Sequence, residues 1–252
     1  MVQKACEKPT GGYTNWSQER IASEVGISQS AVHLILKHAD LKPHKTEYWC
    51  GKSPDPEFES KMLTIIGLYM DPPANAIVLS VDEKTQIQAL DRTQPILPLR
   101  AGTPKRMTAT YKRNGTVALM AALAVHTGMI TATPVKANNA TTFLTFLKKL
   151  DRTFRNNHLH IITDNLAVHK SKEVKAWLKP KRKITMHFTP TYSSWLNQIE
   201  IWFNMLAKDV LKNGVWKSTK QLVDQIMEYI RTYNEQRAAP FKWTYAGKIR
   251  VV

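Results

Sequence analysis

Ala76-Ile-Val-Leu-Ser-Val-Asp-Glu-Lys84 reads as a buried strand that ends on a carboxylate, with the apolar run stopping at Asp82. The same pattern recurs in Leu159-His-Ile-Ile-Thr-Asp164, where a second apolar run closes on Asp164. A third acid, Glu200, lies inside Trp195-Leu-Asn-Gln-Ile-Glu-Ile-Trp-Phe203, an otherwise hydrophobic stretch read as helical, and 35 residues lie between Asp164 and Glu200. A charge at the end of a buried strand is costly unless it is paired or binds a cation. Three such carboxylates brought together repel one another, and a divalent metal ion relieves that repulsion. In a chain with a formal charge of +16, the combination points to metal-assisted chemistry on a polyanion.

The charge comes from 36 Lys and Arg against 20 Asp and Glu in 252 residues. Such an excess points to nucleic acid, and less often to an anionic membrane surface or ribosomal RNA. A hydrophobic fraction of 43% supports a proper core, in one large domain or two smaller ones. There is no apolar run of membrane-spanning length, and the first residues are polar rather than signal-like, so the expectation is a cytoplasmic protein with no membrane partner. Cys6 and Cys50 are too few for a disulfide framework or a cysteine-rich zinc site.

Outward from the first strand, the hydrophobic period changes twice. Before residue 76 it is helical: Ile21, Ala22 and Val25 mark one short amphipathic helix, and Ala31, Val32, Ile35 and Leu36 mark a second. Residues 39–56 are rich in Lys, His and Pro and read as a linker, followed by a connecting helix over Glu57–Leu68. After residue 76, Thr85–Leu90 is expected to pair back on the first strand through a tight turn. Strands over Thr116–Val125 and Met129–Val135 follow, then a helix over Thr141–Phe154. Strand His158–Thr163, helix Lys172–Leu178, strand Ile184–Phe188 and helices from Ser194 to about Leu211 and over Thr219–Tyr233 complete the chain. Antiparallel strands followed by alternating helices and strands imply an α/β fold, a mixed sheet flanked by helices, preceded by a small all-α unit.

That small unit has the pattern of a helix-turn-helix. Gly26 suits the turn, Ser28 suits an N-cap, and the exposed face of the second helix offers Gln29, Ser30, His33 and Lys37 to a major groove. An ordinary helical hairpin is the plainer alternative. Each acid also has one: Asp82 as a turn former, Asp164-Asn165 as a strand-end turn, Glu200 as half of a buried salt bridge. Glu83, next to Asp82 on an extended strand, points to the opposite face and is not an obvious ligand to the same ion. Asn165, His169 and Lys170 cluster at the mouth of the second strand, where open α/β sheets bind ligands, though His169 could equally be a capping or surface residue. Asn197 precedes Glu200 by one helical turn and is expected on the same face. Trp195 and Trp202 read as packing residues. Two basic runs flank the acids: Arg100, Lys105, Arg106, Lys112 and Arg113, and the lysine-rich segment from Lys170 to Lys183. Both suit a phosphate backbone, and His169 and Lys170 are expected among the DNA contacts.

Three segments carry a family likeness. Val81-Asp-Glu-Lys-Thr-Gln-Ile-Gln-Ala-Leu-Asp-Arg-Thr-Gln-Pro95, Thr163-Asp-Asn-Leu-Ala-Val-His-Lys170 and Phe188-Thr-Pro-Thr-Tyr-Ser-Ser-Trp-Leu-Asn-Gln-Ile-Glu200 resemble the bacterial insertion-sequence transposases of the mariner superfamily, which also share the 35-residue spacing. The resemblance implies a ribonuclease-H-like catalytic domain over residues 76–252, a helix-turn-helix domain over 1–45, and a linker with a connecting helix over 46–75. It implies Asp82, Asp164 and Glu200 as a catalytic triad holding two Mg²⁺ or Mn²⁺ ions; their oxygen-only donor set favours such hard cations over zinc. Asn165 and Asn197 are expected to support the triad. The implied partners are double-stranded DNA, as terminal inverted repeats and as target, commonly at a TA dinucleotide, and a second copy of the chain on that DNA. Relatives carry two helix-turn-helix units where this chain shows one from near residue 14, so a truncated copy or a misassigned start is expected. Two rival readings remain: a DNA-binding regulator that no longer cuts, and a ribonuclease-H-like nuclease without strand transfer.

Overall fold

The computed structural model describes residues 1–43, 53–180 and 183–242. Cys50 and two cations of the second basic run, Lys181 and Arg182, lie outside the described residues. The chain divides into two compact units, Met1–Gly51 and Lys52–Val252.

In the first unit, helices α1 (Val2–Cys6), α2 (Gln18–Val25) and α3 (Gln29–His38) enclose Trp16, Ile21, Ala22, Val32 and Leu36. Ser17 and Ser28 cap α2 and α3 by accepting the backbone N–H of Arg20 and Ala31, each at 3.2 Å. Gly26 ends α2 in the left-handed conformation at φ 72°, which reverses the chain into α3. Helix α1 has no counterpart in the sequence reading: it is a single polar turn and a half, pinned by Met1 and Ala5 packing against the small core. Ile35, expected where the two helices meet, is instead 36% exposed; Val32 and Leu36 alone face α2.

The second unit is a five-stranded mixed sheet in the order β3-β2-β1-β4-β5. Helix α4 (Phe58–Met70) leads into β1 (Ala76–Arg92), β2 (Tyr111–Ala124) and β3 (Ile130–Val135), which pair antiparallel. Helix α5 (Ala140–Thr153) crosses to β4 (His158–Thr163), and α6 (Lys172–Leu178) crosses to β5 (Ile184–Phe188); β1, β4 and β5 are parallel. Helices α7 (Ile199–Leu206), continued by a π-helical turn at Ala207–Leu211, and α8 (Thr219–Gln236) close the chain.

Alternation along β1 assigns each face. Ile77, Leu79 and Val81 point to α5 and α6, where Phe143, Phe146, Leu147 and Val174 cover them. Val78 points the other way, onto Met62, Ile65 and Ile66 of α4. Farther along that second face, Ile87 and Ala89 of β1 and Leu119 and Ala121 of β2 pack on Trp202, Phe203, Ile226 and Tyr233 of α7 and α8. Helix α4 is therefore part of this core rather than a free connector.

The expected tight turn after Asp82 does not form. Glu83 and Lys84 pair with Met120 and Leu119, and the strand runs on to Arg92 with irregularities in register. Gln86, at φ 54°, takes up the first of these as a bulge. No Gly or Pro breaks this stretch, so the ladder continues. The result is a long β1–β2 arm whose tip, between Thr93 and Thr110, carries Arg100, Lys105 and Arg106 exposed, with Lys112 and Arg113 exposed at its base.

Candidate active site

Parallel pairing of β1 with β4 runs from Ala76 opposite His158 to Ser80 opposite Ile162. Asp82 lies two residues beyond that last pair, within β1, and Asp164 follows the last residue of β4. Both therefore stand where the parallel pairing stops, at the carboxyl end of β4, where open α/β sheets place their ligands. Glu200 stands in the first turn of α7.

Asp82 is 8% exposed. Its Oδ1 accepts the Glu83 N–H at 2.8 Å, and its Oδ2 accepts the Asn197 side-chain N–H at 2.9 Å. Burial pushes its carboxyl up to about 7; the Glu83 N–H pulls it back somewhat, while the charges of Glu83, Asp164 and Glu200 push it further. Asp82 thus lies within the field of both other acids. Among the described residues, no three His, Cys, Asp or Glu side chains are gathered tightly enough to enclose a cation. The site's donor set is entirely oxygen, which fits a hard divalent ion.

Asn197 is not helical. Ser194–Leu196 forms a 3-10 turn, Asn197 follows at φ −90°, ψ 101°, and α7 begins at Ile199. The helix expected from Ser194 breaks here because side chains capture its first turn. Asn197 donates to Val81 O at 3.1 Å as well as to Asp82, and accepts from the Ser80 hydroxyl. Ser80 in turn accepts the Ile199 N–H at 3.1 Å. Tyr69, from α4, donates to Leu196 O at 2.7 Å, and burial raises its phenol to about 12. These ties bring Asn197, from a different element, onto Asp82 with both amide ends used. Trp202 is fully buried, whereas Trp195, on the short turn, is 47% exposed instead of packed as expected.

His169 is a correction. It was expected to be available to DNA, yet it is 1% exposed. Its Nδ1 lies 2.8 Å from Asp164 Oδ1, its Nε2 lies 3.5 Å from Glu83 Oε2, and its ring packs on Phe143 at 4.2 Å between centroids. Burial disfavours the charged ring, but the Asp164 and Glu83 carboxylates outweigh it and hold the imidazole up at about 9. Lys170 is half-buried, bonded to the Asn165 carbonyl and 4.5 Å from the centre of the Phe188 ring, so Asn165 and Lys170 brace each other locally. In the first unit, Gln29, Ser30, His33 and Lys37 are exposed on α3.

Three residues of this arrangement escaped the sequence reading: Ser80, Tyr69 and the inward role of Glu83. Ser80 had a signal, as the single hydroxyl within an apolar run.

Comparison with known proteins follows the same lines. A family model described as DDE superfamily endonuclease matches residues 78–223, more than half of the chain. The Insertion element IS630 uncharacterized 39 kDa protein of Shigella sonnei is 30% identical over 132 residues, which cover 52% of this chain and 38% of that protein. The chain therefore spans well under half the length of that relative. Among solved structures, the Mos1 Strand Transfer Complex is similar at a TM-score of 0.59 and 18% identity, over 88% of this chain and 71% of that one. The mariner Mos1 paired end complex with Mg is similar at 0.58 and 19%, over 85% and 66%. The mixed sheet with helices on both faces, implied by the order of strands and helices, is the ribonuclease-H-like fold of these structures, as the family resemblance implied. With its two aspartates brought together where β1 and β4 stop pairing, and a family match over residues 78–223 that takes in Asp82, Asp164 and Glu200, the chain belongs to the DDE superfamily endonucleases.

Proposed function

We propose that this protein is a DNA transposase that cuts the ends of an insertion sequence and joins them to target DNA. The observation that carries the reading is the convergence of Asp82 and Asp164 where the parallel pairing of β1 with β4 stops, under the charge of Glu200, in a chain of formal charge +16. The similarity to an insertion-element protein and to transposase complexes with DNA ends supports it. Related Mos1 paired end complexes are with Mn or with Mg, and here Asp82, Asp164 and Glu200 would hold such ions, two per site.

When bound, divalent ions supply Lewis acidity: they lower the pKa of a water and offset charge on the leaving oxygen. The protein's part is placement. Asn197 fixes the Asp82 carboxylate through Oδ2, and Ser80 fixes Asn197. The exposed cations Arg100, Lys105, Arg106, Lys112 and Arg113 on the β1–β2 arm bind phosphate without reading sequence. Gln29, Ser30, His33 and Lys37 on α3 face the major groove of the terminal repeats. Joining two ends calls for two copies of the chain on the DNA, acting in the cytoplasm at the nucleoid.

The test compares wild type with Asp164→Asn for Mn²⁺-dependent nicking and strand transfer on DNA ends taken from the gene's flanks. Cutting and joining by wild type alone is expected. Cutting without joining would reduce the protein to a nuclease, and binding without either would make it a regulator.

A further inference from the structure

The catalytic aspartates are held by unlike devices. Asp82 has the Asn197 amide, but Asp164 has a two-residue strut behind it. His169 Nδ1 lies 2.8 Å from Asp164 Oδ1, and the same oxygen accepts the Leu166 N–H at 3.3 Å. Both of these contacts fall on Oδ1, and Oδ2 takes part in neither. The imidazole cannot swing away: it is 1% exposed, wedged on Phe143, with Thr163 Oγ1 at 3.2 Å from Nδ1. Its far nitrogen lies 3.5 Å from Glu83 Oε2, too long for a good hydrogen bond but close for two buried polar groups. Both atoms lack any other partner among the described residues. Glu83 is itself held, accepting from the Asn138 side-chain amide. A buried carboxylate with no neighbouring opposite charge would be costly, so a role for Glu83 has to be sought on this face, away from Asp82.

We infer that Glu83 and His169 are positioning residues that present Asp164 to the metal through a single oxygen. Glu83, one residue after Asp82, stands on the opposite face of β1 and reaches Asp164 through the imidazole. The pair links β1 at Glu83 to the end of β4 at Asp164, whereas Asn197 holds β1 alone, from the other face. Partners that orient a ligating carboxylate typically affect metal affinity or activity by about 10- to 100-fold when removed.

The inference rests on the metal-binding reading of Asp164, and the experiment separates the two. Mn²⁺ affinity of the full chain without DNA is measured by titration calorimetry for wild type, Asp164→Asn, His169→Gln, His169→Phe and Glu83→Gln, with melting temperature in chelator measured alongside. Gln keeps an N–H donor at position 169; Phe fills the same space against Phe143 and donates nothing. The expected result is a loss of Mn²⁺ affinity of about 10- to 100-fold in His169→Phe, with partial recovery in His169→Gln and a smaller loss in Glu83→Gln. Equal affinity in wild type and all position-169 variants overturns the inference while leaving the metal site intact. So does an equal loss in His169→Gln and His169→Phe that tracks melting temperature, since that marks a purely structural role. Should His169→Phe fail to fold, Glu83→Gln, which keeps shape, decides alone: unchanged affinity there overturns the strut. Wild-type Mn²⁺ binding that Asp164→Asn does not weaken defeats the metal-site reading itself.

Discussion

Asp82 and Glu83 are successive residues of one strand, and the fold treats them in opposite ways. Asp82 faces α7 and meets a neutral amide, so its buried charge is uncompensated and its carboxyl rises to about 7. Glu83 faces α5 and meets His169. Identical side-chain chemistry, displaced by one step of the pleat, yields one group in want of a cation and one that already has a partner. A metal site in this fold thus needs a carboxylate deliberately denied an ion pair as much as it needs carboxylates.

That contrast can be broken by substitution. Asp82→Asn should reduce Mn²⁺-dependent cleavage by about 10³-fold or more, because a metal ligand contributes several kcal/mol to the transition state. Glu83→Gln should retain measurable cleavage in the same nicking assay. Equal losses would erase the distinction between the two faces.

The next largest effect is on pH dependence without metal. Asp82 binds its proton more tightly folded than unfolded, so it favours the folded state below about pH 4 and loses that contribution as pH rises to about 7. In chelator, wild type should therefore lose about 3 kcal/mol of stability across that window relative to Asp82→Asn, as read by urea denaturation at several pH values. Parallel curves for the two proteins would show that the carboxylate is solvated after all.

Asn197→Leu should cost about 2 kcal/mol, since it strands the Ser80 hydroxyl and removes the donor to Asp82 in a site that is 1% exposed. Chemical denaturation measures it. The smallest effect sharpens the comparison as a control. Ser218 caps α8 by accepting the Gln221 N–H at 3.1 Å, and Ser218→Ala should cost about 1 kcal/mol without altering Mn²⁺ affinity.

Much of this was legible in the sequence, for a definite reason. Apolar runs such as Ala76–Val81 and the 3.6-residue period of Thr141–Phe154 are local signals, and the strands and helices they imply are present. Gly26 and Ser28 did what local chemistry dictates. Errors arose where long-range partners overrule local form. Asn197 looked helical because it lies one turn before Glu200, yet Ser80, Val81 and Asp82 pull it into a turn. His169 looked like a residue open to a ligand because it groups with Asn165 and Lys170 at a strand mouth, and only the fold brings Glu83 and Phe143 around it. The turn expected after Asp82 failed for the same reason: β2 supplies a complete ladder on which β1 can continue.

The ties of α4 have a practical consequence for anyone excising a catalytic fragment. Cutting at Ala76, where the strand pattern begins, would discard Tyr69, which bonds to Leu196, and the Ser53 hydroxyl, which donates to Thr191 O at 2.8 Å. It would also strip Met62, Ile65 and Ile66 from the sheet. The loop that delivers Asn197 and Glu200 would lose its backing, and the recombinant piece would expose a fresh greasy surface. A usable gene boundary therefore lies upstream of Ser53, some way before the first strand.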